Sequence, residues 1–164
     1  MRFHLPQKNF RRQGFTLLFA ILVASLLLSV GLAILDLTVK RLTLSAFGRE
    51  SLMAFYAADS GAECARYWDL KRDAFSTTTV FSGTMTCNGQ VVKDSNGQPA
   101  VLGGDTLSVF QFDLSIPGGQ TLPAYVEVTL EKDPVTGRST VSSRGYNTGV
   151  ATPRRVERGI RTEY

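Results

Sequence analysis

The sequence predicts an α+β fold in which a long N-terminal transmembrane helix continues as a spine packed against an antiparallel β-sheet. Three observations support this prediction. An uncharged apolar run covers residues 15–35, a proline-free segment rich in helix formers covers residues 36–74, and short strand-like segments separated by turn signals fill residues 75–164. Together with a basic stretch over residues 1–14, these divisions predict a leader, a membrane helix, an amphipathic continuation and a β-rich head.

The excess positive charge of the chain lies in its first 14 residues. Four of the 18 lysine and arginine residues precede Gly14, no acidic residue does, and the others balance the 14 acidic residues. Net charge therefore does not indicate a general nucleic-acid-binding surface. Because the basic residues flank the apolar run, the positive-inside rule leaves that end in the cytoplasm and exports the rest of the chain.

The apolar run itself has three alternative fates. Its 21 residues span roughly 30 Å at about 1.5 Å per residue, the thickness of a bilayer's hydrocarbon core. A secretory signal peptide has a shorter apolar region, of about 7–15 residues, followed by a small-x-small cleavage site. The remaining alternatives are an uncleaved signal anchor and a cut on the near side, after Gly14, that retains the helix.

The residues around Gly14 resemble the processing site of type IV prepilins. A basic leader is followed by Gly14 and then by Phe15-Thr16-Leu17 at the start of the apolar helix. The resemblance implies that a prepilin peptidase cuts between Gly14 and Phe15 and N-methylates Phe15. Glycine suits such a site because, without a Cβ, the backbone can enter a narrow protease cleft in an extended conformation. The resemblance also implies other pilin or pseudopilin subunits and an assembly platform in the inner membrane as partners.

Phe19 departs from the family pattern. Most members carry a glutamate at the fifth position after the cut, where the carboxylate is thought to neutralise the terminal amine of a neighbouring subunit. Phe19 cannot offer that contact. The K-type pseudopilin of type II secretion shares this absence and is proposed to lie at the tip. The resemblance therefore favours a minor, tip or initiating subunit.

Residues 36–74 are predicted to continue the membrane helix without a linker. No proline interrupts them, and the segment SLMAFYAADSGAECA resembles the corresponding region of X-type minor pilins. Side chains at spacings of three or four form one helical stripe. Its members are Leu42, Ala46, Arg49, Met53, Tyr56, Ser60, Cys64 and Tyr67.

The remainder of the chain is predicted to be a sheet meander. Asn88-Gly89 is a two-residue hairpin signal, and alternation over residues 124–132 is typical of a sheet with one buried face. The candidate strands are residues 77–81, 84–87, 90–93, 106–114, 124–132, 138–146 and 154–164.

The C-terminal residues resemble those of minor pilins and pseudopilins, which often end in a Ser-x-Gly strand, a turn and an arginine-bearing last strand. Glu157 and Glu163 alternate with the arginines of this region, Arg144, Arg155, Arg158 and Arg161. The interleaving favours a charge-balanced strand over a nucleic-acid patch. We expect no nucleic-acid contact other than with DNA as the cargo of a filament.

Two cysteines in a chain expected to be exported suggest one disulfide, between Cys64 and Cys87. The bridge would clamp the connection between helix and sheet onto the helix. The alternative is a pair of reduced thiols.

Catalytic signals are scarce, and we expect neither an enzyme nor a cofactor. The only histidine is His4, inside the predicted leader, so a processed chain would lack histidine-based dyads and the commonest zinc ligand. Asp94, Asn96 and Asp105 are weak candidates for Ca²⁺, but a complete loop with a downstream glutamate is missing, which favours a plain hairpin turn.

The prediction that follows is a non-catalytic minor pilin or pseudopilin of a type IV pilus or type II secretion-like filament. It would be stored in the inner membrane as a single-pass protein with its head outside, and then assembled into an extracellular filament or pseudopilus. The alternative is an uncleaved, signal-anchored extracellular domain that binds a ligand.

Overall fold

The computed structural model describes residues 13–115 and 123–164. The chain divides into two compact units, Met1–Ala46 and Phe47–Tyr164. One helix, α1 (Gln13–Arg72), contributes residues to both units, and every strand belongs to the second. The predicted α+β class, with a long N-terminal helix packed on an antiparallel sheet, is confirmed. Residues 1–12 of the predicted leader lie outside the described residues.

Helix α1 ends close to the predicted boundary. Lys71 and Arg72 occupy its last turn, where positive charge interacts favourably with the helix dipole. Asp73 then adopts a left-handed backbone conformation with φ of 50°, which aspartate tolerates better than most residues. The amide of Ala74 donates to the carbonyl of Trp68 at 3.2 Å, which satisfies one of the free carbonyls of the last turn.

Six strands form two antiparallel sheets. A two-stranded ribbon consists of β1 (Thr86–Cys87) and β2 (Gln90–Val91), joined by Asn88 and Gly89. Both turn residues have positive φ, 50° and 73°, as a type I′ hairpin requires. The main sheet has the order β3-β4-β5-β6 and is a simple meander of β3 (Leu107–Leu114), β4 (Ala124–Lys132), β5 (Ser139–Tyr146) and β6 (Glu157–Glu163).

The predicted strand over residues 77–81 was wrong. Only Val80 makes a bridge there, to Gly103. The Ser76 hydroxyl accepts a hydrogen bond from the amide of Thr78, and such local bonds compete with a strand ladder. The candidates at residues 84–87 and 90–93 are shorter than expected. Lys93 exchanges two 2.8 Å hydrogen bonds with Gln111 on β3 instead of pairing within the ribbon.

The core lies between the sheet and the second unit's part of α1. The alternation predicted for β4 is confirmed, since Ala124, Val126, Val128 and Leu130 are all at most 3% exposed. Phe110 and Phe112 of β3 extend this face, and the ring of Phe110 stacks on that of Phe75. The sheet therefore has one apolar face and one mixed face, as its pattern predicts.

The helix meets the sheet through small residues. The predicted helical stripe lies only partly at the core: Tyr56 and Tyr67 are more than half exposed, whereas Met53, Ser60 and Cys64 are half-buried. The buried positions are instead Ala54, Ala57, Ala58, Gly61, Ala62, Ala65 and Asp69.

Two glycines allow the backbones to approach closely. A Cβ at Gly145 of β5 would overlap the backbone of Ala54 and Ala58, and one at Gly61 would overlap side chains of Val126 and Ser143. The spacing of helical apolar residues predicted a helix but not its buried side, because aromatic residues at this contact would hold the sheet away.

Candidate functional site

The first unit's part of α1 presents an apolar surface on all sides over residues 15–35. Every side chain from residue 15 to Ala46 is exposed. The helix contains an 18-residue stretch with a mean hydropathy of 2.8, of which nothing is buried within the protein. A helix that is apolar all round is stable in lipid or under a protein cover. By length and composition, α1 could span a membrane once.

The hydroxyl groups within this surface bond to their own helix. Ser25 and Ser29 each donate to the carbonyl oxygen three residues earlier, at 2.8 Å. An unpaired hydroxyl is costly in hydrocarbon, and these bonds remove that cost. The first charged residues after the apolar run, Asp36 and Lys40, form an exposed ion pair of 2.7 Å. The chemistry of this part of the helix thus suits a membrane interior up to residue 35.

The predicted processing bond lies at the start of the helix. Helix α1 begins at Gln13, so the bond between Gly14 and Phe15 is in the first turn, where amides have no intrahelical partner. Unwinding this turn for a protease therefore costs few hydrogen bonds. The side chains of Phe15 and Phe19 are 77% and 59% exposed, and their spacing of four places them on one helix face. The first turn of the helix as described contains no acidic residue.

The second unit holds the disulfide. Cys64 of α1 and Cys87 of β1 are bonded, with their Cα atoms 5.9 Å apart, as the cysteine pairing predicted. One turn further along the helix, the indole of Trp68 donates to the carbonyl of Thr86 at 3.0 Å and packs edge-on against Phe81. The bridge closes a loop with a sequence separation of 23, worth about 3 kcal/mol by chain entropy. It fixes the β1–β2 ribbon to the helix.

A buried carboxylate, Asp69, connects the end of the helix to β4, to β5 and to the residue that follows β6. Its Oδ1 accepts from Lys132 Nζ at 2.8 Å, and its Oδ2 accepts from Ser139 Oγ at 2.6 Å and from Tyr164 Oη at 3.2 Å. The side chain of Asp69 is 3% exposed and that of Lys132 19%. The pKa of Tyr164 is raised, mainly because the side chain is buried and secondly because the Asp69 carboxylate is close.

We did not predict this polar cluster from the sequence. A signal was present: Asp69 lies four residues after Ala65, in register with the small buried positions of α1. An acidic residue on the buried side of a helix requires partners. Which strands supply them is a tertiary fact, since Ser139 and Tyr164 lie 70 and 95 residues away.

The mixed face of the sheet carries a second cluster, of two tyrosines and an arginine. The guanidinium of Arg155 lies over the ring of Tyr146, 3.8 Å from its centroid, and Tyr146 packs beside Tyr125. The hydroxyl of Tyr125 donates to Gln111. The pKa values of both tyrosines are raised, by burial first and then by the nearby carboxylates of Glu127 and Glu157, respectively. Both hydroxyls therefore stay protonated and neutral.

Arg144, Arg155 and Arg158 of the C-terminal region have separate partners. Arg144 lies 3.9 Å from Glu157, and Arg158, which interrupts the apolar alternation of β6, donates to Ser51 of the helix at 2.8 Å. With Arg155 stacked on Tyr146, the cations are distributed over both sides of the sheet. This distribution agrees with the interleaved charges of the sequence.

The calcium candidates serve local turns. Asp94 Oδ1 accepts from the amides of Asn96 and Gln98, and Asp105 Oδ1 accepts from the amide of Thr106. Within residues 13–115 and 123–164, no group of three or more His, Cys, Asp or Glu side chains is placed to hold a metal ion. The turn interpretation of Asp94 and Asn96 is supported by these hydrogen bonds.

No family model, curated protein or solved structure matches this chain.

Proposed function

We propose that this chain is a non-catalytic minor pilin or pseudopilin, a subunit of a type IV pilus or of a type II secretion-like filament. The helix would be stored in the inner membrane with its N-terminal end in the cytoplasm and its β-rich head outside. A prepilin peptidase would remove the leader after Gly14 and methylate Phe15. The mature subunit would then join other pilin or pseudopilin subunits through an assembly platform.

One observation supports this proposal above the others. Helix α1 exposes every side chain over residues 15–49 and continues as one helix to Arg72, and its residues 54–69 form the spine of an antiparallel sheet. A simple membrane anchor needs no such continuity and is commonly followed by a flexible linker. An apolar helix of this kind can exchange lipid contacts for contacts with equivalent helices, aided by small residues such as Ala20, Ala24 and Gly31.

Phe19 favours a special position in the filament. Without a carboxylate there, the subunit cannot neutralise the terminal amine of a neighbour in an apolar interior. Placing the chain at the tip or at initiation removes the need for that contact. The head would then be available for a secretion substrate, a surface or DNA carried as cargo.

The processing step tests the proposal directly. Mass spectrometry of the membrane-extracted protein should find a mature chain that begins at N-methylated Phe15. Gly14→Val should block the cut, whereas Gly31→Val, the same change inside the apolar run, should leave it intact. An unprocessed chain that retains Met1 in the wild type would reject the filament proposal in favour of a signal-anchored ligand-binding domain.

The position in the filament is tested by Phe19→Glu. If the missing carboxylate keeps the subunit out of the shaft, this variant should be incorporated in larger amounts along sheared filaments. Phe19→Leu is the matched control, because it keeps the site apolar. Equal incorporation and the same location for both variants would remove the argument for a tip subunit.

A further inference from the structure

The last strand, β6, is an edge of the main sheet with an open side. Ser139 and Tyr164 exchange both backbone hydrogen bonds, at 2.9 and 3.1 Å. In an antiparallel ladder the bonded residues alternate, so the even-numbered residues of β6 bond to β5. The amide and carbonyl groups of Gly159, Arg161 and Glu163 therefore point away from the sheet, and all three residues are exposed.

A groove runs along this open edge, between β6 and helix α1. Its volume is about 350 Å³, and its walls include Asp59, Glu63 and Arg66 of the helix and Ile160 and Thr162 of the strand. Helix and strand run side by side over this distance: the Arg158 side chain reaches Ser51 at one end, and Arg66 lies 5.6 Å from the ring centroid of Tyr164 at the other. The groove belongs entirely to the second unit.

The charges of the groove select its occupant. Asp59 and Glu63 lie one helical turn apart, and neither forms an ion pair with another residue in the part of the chain that the structure describes. Arg66, the cation among the residues that line the groove, stacks on Tyr164. The helix side of the groove thus presents two unpaired carboxylates opposite a strand with free hydrogen-bonding groups.

We propose that β6 accepts an extended, basic peptide segment of a partner protein as a fifth strand of the sheet. The segment would exchange backbone hydrogen bonds with Gly159 and Arg161, the mode of recognition in which main-chain bonds give affinity. Alternate side chains would enter the groove, one apolar against Ile160 and one lysine or arginine against Asp59 and Glu63. The proposal does not depend on filament assembly.

The charged residues of β6 are also the usual means by which an edge strand avoids nonspecific pairing. Glu157, Arg161 and Glu163 project from the mixed face and discourage uncharged strands. They do not remove the outward amides, however, because none of the three is proline. The edge of β6 therefore remains able to pair with another strand, but it disfavours nonspecific partners.

The experiment measures the binding of a synthetic peptide to the full chain in detergent micelles. The peptide alternates threonine and valine, and a lysine replaces its central valine. A second peptide carries glutamate at that position. We expect the lysine peptide to bind at least about tenfold more tightly than the glutamate peptide, the size of one charge-assisted contact. In the complex, amide hydrogen exchange should slow at Gly159 and Arg161 and stay unchanged at Ile160.

Two variants at one position separate the backbone from the side chain. Arg161→Pro removes the outward amide without breaking a bond to β5, and should weaken binding of the lysine peptide about tenfold. Arg161→Ala removes the same side chain, keeps the amide, and should bind within about threefold of the wild type. Unfolding of both variants is followed by Trp68 fluorescence to verify that the head is folded.

Three results would overturn the proposal. These are no binding of the lysine peptide, equal binding of the lysine and glutamate peptides, and equal effects of Arg161→Pro and Arg161→Ala in folded protein. Self-association of the chain without peptide that Arg161→Pro abolishes would assign the edge to a second copy instead.

Discussion

Helix α1 uses small residues differently in the two units. Between Phe47 and Arg72, Ala54, Ala57 and Ala58 are fully buried against the sheet. In the first unit, which ends at Ala46, a Cβ added at Gly31 would meet nothing within 4 Å, and the apolar side chains around Gly31 are exposed. In the second unit, small residues therefore mark the contact between helix and sheet. In the first unit, under the filament proposal, they would mark a contact with the helices of other subunits.

The two units also differ in how they treat an aspartate–lysine pair. Asp69 and Lys132 are 2.8 Å apart and largely buried, with Ser139 and Tyr164 as further donors to the carboxylate. Asp36 and Lys40 are 2.7 Å apart, and both side chains are more than 60% exposed. Nearly equal distances thus conceal very different energetic roles, since water screens the exposed pair.

The largest effect is expected from breaking the buried pair. Asp69→Ala should lower the free energy of unfolding of the second unit by about 3–5 kcal/mol, because two hydroxyls lose their acceptor and the Lys132 ammonium keeps only the exposed carboxylate of Asp73, 3.7 Å away. Asp36→Ala, the matched change in the exposed pair, should lower it by less than about 0.5 kcal/mol. Denaturant unfolding of the full chain, followed by Trp68 fluorescence, measures both. Similar losses for the two variants would contradict the contrast.

A somewhat smaller effect is expected from adding bulk where helix and sheet meet. Gly145→Val should destabilise the second unit by about 3 kcal/mol, since its side chain would displace the helix backbone at Ala54 and Ala58. Gly31→Val adds the same side chain where nothing lies within 4 Å and should leave unfolding of the second unit unchanged. The same fluorescence assay applies, and a stable Gly145→Val variant would show that the contact is loose.

The smallest effect concerns Tyr164 and pH. Its pKa in the folded state is raised above the usual tyrosine value of about 10, so its contribution to stability is present in full below pH 10 and is lost as the pH rises further. Tyr164→Phe should cost about 1 kcal/mol at neutral pH through loss of the bond to Asp69. It should also flatten the decline in unfolding free energy above pH 10, measured by urea titrations at several pH values. An equally steep decline in the variant would assign the pH dependence to other groups.

The sequence alone determined the long helix, the four strands of the main sheet and the turn of the ribbon. The uncharged length of residues 15–35, the absence of proline over residues 36–74 and the alternation of β4 are local properties, because helix and strand periods are set by the backbone itself. The turn at Asn88-Gly89 was predictable for the same reason: few residues tolerate positive φ. The ranges of α1 and of the four main strands followed closely.

Tertiary structure decided which sides of these elements meet. Tyr56 and Tyr67 of the predicted helical stripe are exposed, and the face of α1 that is fully buried consists of alanines that the backbone of Gly145 can approach closely. The partners of Asp69 and the groove beside β6 likewise depend on residues 63 to more than 90 positions apart in the chain. Sequence periodicity predicts helices and strands one at a time. Which face of α1 is buried depends on how closely the helix and sheet backbones can approach, and this distance is set by the side chains of both elements together.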